Sequence, residues 1–269
     1  LAAGHSARDV YAWLDRLQVP LAAKPFAVGV RVEHPQSLID KAQYGSSAGH
    51  SALPPADYKL NVPTPDGRGV YTFCMCPGGE VINASSEEGR LNLNGMSRHT
   101  RDGENANAAL LVGVRPADFG GPLDGIAFQR RIEEAAFAVA GGYKAPCQRV
   151  EDFLKNKPSH GFGAVKPSYR PAAVPADLTD ILPAFVTDNL RYALPQLGKK
   201  LAGFDLPDAL LLAPETRSSS PVRILRDERR ESAVRGLYPL GEGAGYAGGI
   251  ISSAVDGLKA ALNERTLTA

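Results

Sequence analysis

Val234-Arg235-Gly236-Leu237-Tyr238-Pro239-Leu240-Gly241-Glu242-Gly243-Ala244-Gly245-Tyr246-Ala247-Gly248-Gly249-Ile250 is the stretch whose reading decides the fold. Its apolar part, Gly236 to Leu240, reads as a short strand that runs into a glycine-rich turn holding one carboxylate. Ile251-Ser252-Ser253-Ala254-Val255-Asp256-Gly257-Leu258-Lys259-Ala260-Ala261-Leu262 follows at once and reads as an amphipathic helix. Glycine lets a backbone approach a ligand closely, and a helix start offers unpaired N–H groups with partial positive charge. A strand, loop and helix start in this order form a natural seat for a phosphate or another electron-rich group. Glu242, at the strand end, is placed to accept hydrogen bonds from sugar-like hydroxyls. The same pattern also describes a tight turn with no ligand, and spacing alone leaves both readings open.

The stretch resembles the last FAD-binding element of two-dinucleotide-binding flavoproteins, the broad glutathione-reductase-like class. In that class a strand ending in Gly-Asp or Gly-Glu holds the ribityl chain, and the next helix points its N-terminus at the flavin ring. The resemblance implies that Gly241, Glu242 and Gly243 hold the ribityl chain. It implies that Gly248, Gly249 and Ile250 present N–H groups to the pyrimidine edge of the ring. More narrowly, the chain resembles a family of uncharacterised bacterial FAD-dependent dehydrogenases, which use NAD and FAD. Four segments carry this likeness. They are Gly4-His5-Ser6-Ala7-Arg8-Asp9; Lys24-Pro25-Phe26 through Glu33-His34-Pro35; Phe73-Cys74-Met75-Cys76-Pro77-Gly78-Gly79 through Asn107; and Glu215-Thr216-Arg217-Ser218-Ser219-Ser220-Pro221-Val222-Arg223-Ile224.

No G-x-G-x-x-G stands directly after a strand in this chain. In the flavoproteins it resembles, that fingerprint holds the pyrophosphate near the N-terminus. The opening Leu1-Ala2-Ala3-Gly4-His5-Ser6 resembles instead the Ala-Thr-Gly strand end found well inside an FAD domain, with Ala3 where Thr is usual. The expectation is a C-terminal piece of a longer protein, cut inside its FAD domain, that holds no FAD tightly by itself. Gly4 and His5 would lie on a loop facing the cofactor. Ser6 to Leu17 reads as a helix, with Ser6 as N-cap and Val10, Leu14 and Leu17 on one face beside Trp13.

A length of 269 residues allows one large domain or two. The apolar fraction of 43% and charged fraction of 22% are those of an ordinary globular protein. A net charge of +1 gives no electrostatic case for nucleic acid or an anionic membrane. No apolar run approaches transmembrane length, and the start lacks the basic region of a signal peptide. Three cysteines are too few for a disulfide framework, which suits a reducing cytoplasm.

The expected fold is α+β or α/β: a partial FAD-binding, Rossmann-like domain with an inserted β-rich domain and a helical part. Residues 1–22 read as the FAD-domain remnant, 23–120 as the β-rich insert, 121–205 as its helical part, and 206–269 as the return to the FAD domain. Phe26, Val28, Val30 and Val32 alternate and predict a half-buried strand. Residues 40–69 read as loop, with a hairpin turn at Asp66-Gly67. Strands are expected at 70–75, 80–85, 91–97 and 108–114. Pro122 to Val139 reads as a helix stopped by Gly141-Gly142, and 151–175 as an extended excursion. Residues 177–202 read as helical with breaks at Pro183 and Pro195, and strands follow near 209–213 and 222–226.

Cys74 and Cys76 invite a redox reading. In a strand, i and i+2 share a face with Cα atoms about 6.5 Å apart, near the upper limit for a disulfide. Small structural residues are therefore the favoured reading, a substrate-facing place at the flavin the second, and metal or disulfide chemistry the last. No metal site is expected, because too few soft or imidazole ligands stand nearby. Arg101, Asn105 and Asn107 belong to a dense polar loop between strands, which either holds a polar ligand or bonds to itself. Glu215, Arg217 and Arg223 fall near strand ends, where either a buried ion pair or an Arg beside the flavin fits; the latter would stabilise a reduced flavin.

The function these readings support is the C-terminal portion of an FAD-dependent oxidoreductase, inactive as a piece. Its expected partners are a small-molecule substrate and NAD(P)H, with no nucleic acid and no membrane. The rival is a structural or interaction module with no flavin and no catalysis.

Overall fold

The computed structural model describes the backbone of residues 1–267 and the side chains of residues 1–262. In chain order, α1 spans Arg8–Arg16, β1 Leu21–Ala23, β2 Phe26–Pro35 and α2 Gln36–Tyr44. Five strands follow: β3 Asn61–Val62, β4 Val70–Cys76, β5 Gly79–Asn83, β6 Leu93–Ser97 and β7 Asn105–Val114. Then come α3 Asp124–Ala140, β8 Ala145–Arg149, α4 Val150–Leu154, β9 Ala173–Pro175 and α5 Ala184–Lys200. The chain continues through β10 Leu210–Glu215 and β11 Val222–Ile224 to α6 Ile250–Leu267. The fold is thus mixed α/β, in line with the class expected from sequence.

Two compact units divide the chain. One takes Leu1–Ala27, Val114–Arg130 and the residues from Arg217 on; the other takes Val28–Gly113 and Arg131–Thr216. The second unit is built on a seven-stranded mixed sheet in the order β3-β4-β7-β2-β10-β8-β9. The β3/β4, β4/β7, β2/β10 and β10/β8 pairs are antiparallel, and β8/β9 is parallel. β5 and β6 form a separate antiparallel hairpin. The turn at Asp66-Gly67 closes β3 on β4, with Asp66 Oδ1 accepting from Thr64 Oγ1 at 2.7 Å and from Arg68 N–H at 3.1 Å. Such side-chain acceptors are the reason Asp and Gly mark turns.

The first unit is smaller. β1 pairs antiparallel with β11. Tyr11 and Leu14 of α1 pack with Val19, Ile126, Val222, Ile224 and Ala244 into its core. α6 contributes its small and polar side, Asp256 and Ala260, to the buried surface, while Ile250, Ile251, Leu258 and Leu262 are exposed.

Several local expectations are corrected. Gly236 to Leu240 is not a strand: Gly236 lies in a turn with φ of +81°. Leu240 N–H bonds Leu1 O at 2.9 Å and the Leu1 amino group bonds Tyr238 O at 2.7 Å, and Pro239 has no N–H to extend a ladder. β2 is not half-buried: from Phe26 to His34 every residue is buried, because the face that carries Arg31 and Glu33 is covered as well, by Gly95 of β6 against Arg31 and by Ser168 on Glu33. Pro195 does not break α5, since Leu190, Ala193, Leu194 and Leu197 on one face are fully buried; that packing outweighs a helix-interior proline cost of about 3 kcal/mol. Ser6 is not a side-chain cap: α1 starts at Arg8 after Ala7, and Trp13 and Leu17 are exposed while Tyr11 is buried. The 40–69 stretch opens on the end of α2, and 145–149, unmarked by sequence, is a central strand between β10 and β9.

Candidate functional site

The glycine-rich loop and the chain start meet within the first unit. A Cβ built on Gly243 would fall 2.7 Å from the carbonyl carbon of Gly4 and 2.8 Å from its oxygen. The two backbones therefore cross at a distance that only glycine at 243 permits. His5 Nδ1 lies 3.5 Å from Glu242 Oε1, and its Nε2 is 2.8 Å from the Arg217 carbonyl oxygen. Both ring nitrogens face oxygens, so a neutral imidazole can donate to one of them and an imidazolium to both. Tyr11 supports the crossing from below: its hydroxyl donates to Gly243 O at 2.6 Å and lies 3.1 Å from Ser220 Oγ. Burial pushes the Tyr11 phenol pKa above its ordinary value, so this donor keeps its proton.

α6 is fastened to the same loop. Gly241 N–H donates to Asp256 Oδ2 at 2.9 Å. Asp256 also receives two hydrogen bonds from Arg226, at 2.7 and 2.8 Å, and one from Arg230 at 3.2 Å. Arg226 lies over the Tyr246 ring, 3.8 Å from its centroid. At the helix start, Gly248 N–H donates to Ser252 Oγ at 3.2 Å. A Cβ on Gly248 or Gly249 would meet nothing within 4 Å, so the backbone there is open to a ligand. Glu242 is a quarter exposed, which leaves its carboxylate reachable.

This donor set suits one end of FAD. A carboxylate, an imidazole and an open helix start match hydroxyl groups and an electron-rich ring edge. The one Gly-x-Gly-x-x-Gly spacing, Gly243-Ala244-Gly245-Tyr246-Ala247-Gly248, lies in this same loop and has no strand directly before it, unlike the strand–turn–helix fingerprint that holds a pyrophosphate. Gly4, His5, Gly241, Glu242 and Gly243 are brought together, with Gly248, Gly249 and Ile250 at the start of the helix that Asp256 ties to them. Arg217 joins this group through its backbone, since its carbonyl is what meets His5.

Cys74, Cys76 and Asn107 gather elsewhere, in the second unit, around a residue the sequence did not mark. Arg31 is fully buried at the centre of β2. Its Nη1 donates to Glu215 Oε2 at 3.0 Å, its Nε and Nη2 to Asn107 Oδ1 at 3.1 and 2.6 Å, and its Nη2 to the Cys74 carbonyl at 2.9 Å. Cys76 Sγ lies 3.6 Å from Nη2. Burial drives the Glu215 carboxyl pKa up, while Arg31 opposes that rise. Burial likewise raises the Cys76 thiol, again opposed by Arg31. Asn107 Nδ2 and the Tyr58 hydroxyl are buried without a hydrogen-bond partner among the described residues. Gly95 of β6 closes the cluster: a Cβ there would meet Arg31 Nη2 at 2.1 Å and Asn107 Oδ1 at 2.2 Å.

The even i, i+2 spacing expected for Cys74 and Cys76 is broken. The β4/β7 register shifts between Phe73 and Cys76, and Cys74 has φ of +43°. An extra residue in one strand re-aims its side chains, and both cysteines are free thiols. Asn105 belongs to a different network, donating to Glu33 Oε1 at 3.2 Å and to Lys166 O at 2.8 Å. Glu33 is buried and also accepts from the Ser168 hydroxyl; burial raises its carboxyl pKa. Arg101 stands apart on an exposed turn with φ of +52°. Among the described residues, no group of three or more His, Cys, Asp or Glu side chains is placed to hold a metal ion.

Residues 25–218 match the family described as FAD-dependent protein, C-terminal domain-like. A protein of Clostridium beijerinckii (strain ATCC 51743 / NCIMB 8052), named as an uncharacterized protein, is 52% identical over 266 residues, which is 97% of this chain and 50% of that protein. The chain therefore spans about half the length of this curated relative.

Proposed function

Because this chain belongs to the family of FAD-dependent protein C-terminal domains, we propose that it is the C-terminal part of a bacterial FAD-dependent oxidoreductase of the dehydrogenase type. The observation that carries this reading is the convergence of Gly4 and His5 with Gly241 to Gly243, more than 230 residues later, beside the start of α6. FAD, when bound, supplies acceptance of a hydride or electron pair at its ring N5. The residues of this chain do the positioning. Glu242 accepts hydrogen bonds from ribityl hydroxyls. Gly243 lets the two backbones close on each other. Gly249 and Ile250 offer N–H groups at the positive end of α6 to the electron-rich ring edge. Asp256 fixes the angle between that helix and the loop through Gly241.

A small-molecule substrate and a nicotinamide nucleotide as electron donor complete the proposal, in the cytoplasm. No helix among the described residues is long and apolar enough to cross a membrane. The test uses the longer protein of which this chain is a part. It should purify yellow and be reduced under anaerobic conditions by NADH or NADPH. A colourless protein that takes up no FAD would instead support a structural module without catalysis.

A further inference from the structure

The second unit carries a cleft that the flavin reading does not use. It lies between the β4–β5 turn and the 95–101 segment, with a volume of about 690 Å³. Arg98, His99 and Arg101 line it, and among the described residues no carboxylate does. Met75, Met96 and the Cys76 thiol make up much of the remaining wall. The charge of the cleft comes from its lining arginines. Arg31, behind Cys76, is already compensated by Glu215. Arg98 approaches Glu80 only to 3.6 Å, with both side chains largely exposed, so that pair neutralises little.

We propose that this cleft binds a small organic carboxylate with an apolar body. Two arginines in the lining, Arg98 and Arg101, suit a carboxylate head, which Arg recognises with paired donors. Two thioether side chains give a polarisable, adaptable apolar surface for the rest of the molecule. A soft metal cation would meet the same three sulfur atoms, but the arginines in the lining oppose a positive guest. The volume falls in the range of small-molecule sites, about 300–1,000 Å³. The cleft belongs to the second unit by itself, so binding does not require FAD.

The chain has two methionines, Met75 and Met96, and both line the cleft. Protein carrying isotope-labelled methionine methyl groups therefore gives two NMR signals that both report on it. Titration with phenylbutyrate should shift both signals saturably, and added salt should weaken the effect. The uncharged phenylbutyramide should bind about tenfold more weakly or worse, because it loses the charge-assisted hydrogen bonds. The double variant Arg98→Gln, Arg101→Asn should show the same loss for phenylbutyrate. Asn is chosen at 101 because it tolerates the left-handed backbone found there. Both side chains are exposed, so the melting temperature should hold. Methyl signals that do not move, acid and amide of equal affinity, or an unchanged affinity in the double variant would each overturn the proposal.

Discussion

The Asp256 carboxylate accepts the backbone N–H of Gly241 at 2.9 Å, so one side chain of α6 holds the glycine loop in place. The same carboxylate answers Arg226, whose side chain is 7% exposed. Asp256→Ala should cost about 2–3 kcal/mol, the scale of hydrogen bonds to a charged group lost at a largely buried site. The measurement is the urea midpoint, read with an unchanged slope. Arg226 hydrogen bonds hold the Asp256 carboxyl below its ordinary value of 3.8, with Gly241 N–H adding to the effect. A depressed carboxylate contributes stability above its unfolded-state pKa and loses it as pH falls through the folded one. The wild-type protein should therefore lose this contribution only below about pH 4. Asp256→Asn should be less stable at neutral pH and should show a smaller loss across that acid window.

Arg31 and Glu215 form a buried pair at 3.0 Å. Removing one partner of a buried pair strands the other charge, at about 3–5 kcal/mol. Arg31→Met and Glu215→Gln should each destabilise on that scale. The double variant should cost clearly less than their sum, because neither charge is left buried alone. A double-mutant cycle from denaturant titration reads the coupling; strict additivity would refute it.

Glu242→Ala in the longer protein should weaken FAD binding roughly ten- to a hundredfold, from the loss of about 1.5–3 kcal/mol. Glu242→Gln should lose less, since an amide oxygen still accepts. The fold should survive both changes, because Glu242 is partly exposed and its carboxylate lies 3.5 Å from the His5 ring. The 269-residue chain alone should bind FAD more weakly than about 1 μM, or −8 kcal/mol. Fluorescence titration of apo-protein checks the three affinities, and the melting temperature checks the fold.

The thiols should differ in reactivity. Cys74 is exposed and Cys76 half-buried, whereas Cys147 is fully buried and its thiol pKa is pushed well above the ordinary value by burial. A disulfide dye should modify Cys74 first and Cys76 more slowly, since burial also raises the Cys76 thiol. Cys147 should react only after unfolding. Rapid reaction of all three in native buffer would contradict the burial of β8.

The sequence made the short strands and the Asp66-Gly67 hairpin legible, because turn chemistry and alternation act over a few residues. It also marked Gly4, His5 and Glu242 for one site, through resemblance rather than spacing. Arg31 was hidden. An alternation of Phe26, Val28, Val30 and Val32 assigns the intervening residues to solvent, and only the folded chain brings Gly95 of β6 against Arg31 on that face. Glu33 was missed for the same reason, its partner Ser168 being 135 residues away. Asp256 looked like the polar face of an amphipathic helix. It is instead the buried face, because Arg226 and Arg230 arrive from a distant loop to pair with it. Burial of charge depends on partners remote in sequence, which local periodicity does not record.

Gly95 lies on a hairpin strand at intermediate exposure, where a substitution survey would be expected to find wide tolerance. A methyl group there would land on Arg31 and Asn107. Even alanine at this position would have to displace a guanidinium that four other groups hold. Gly95 should thus be as intolerant of replacement as any core leucine, and a map of permitted residues across β6 should show one forbidden position between the tolerant neighbours Asn94 and Met96, both of which are exposed.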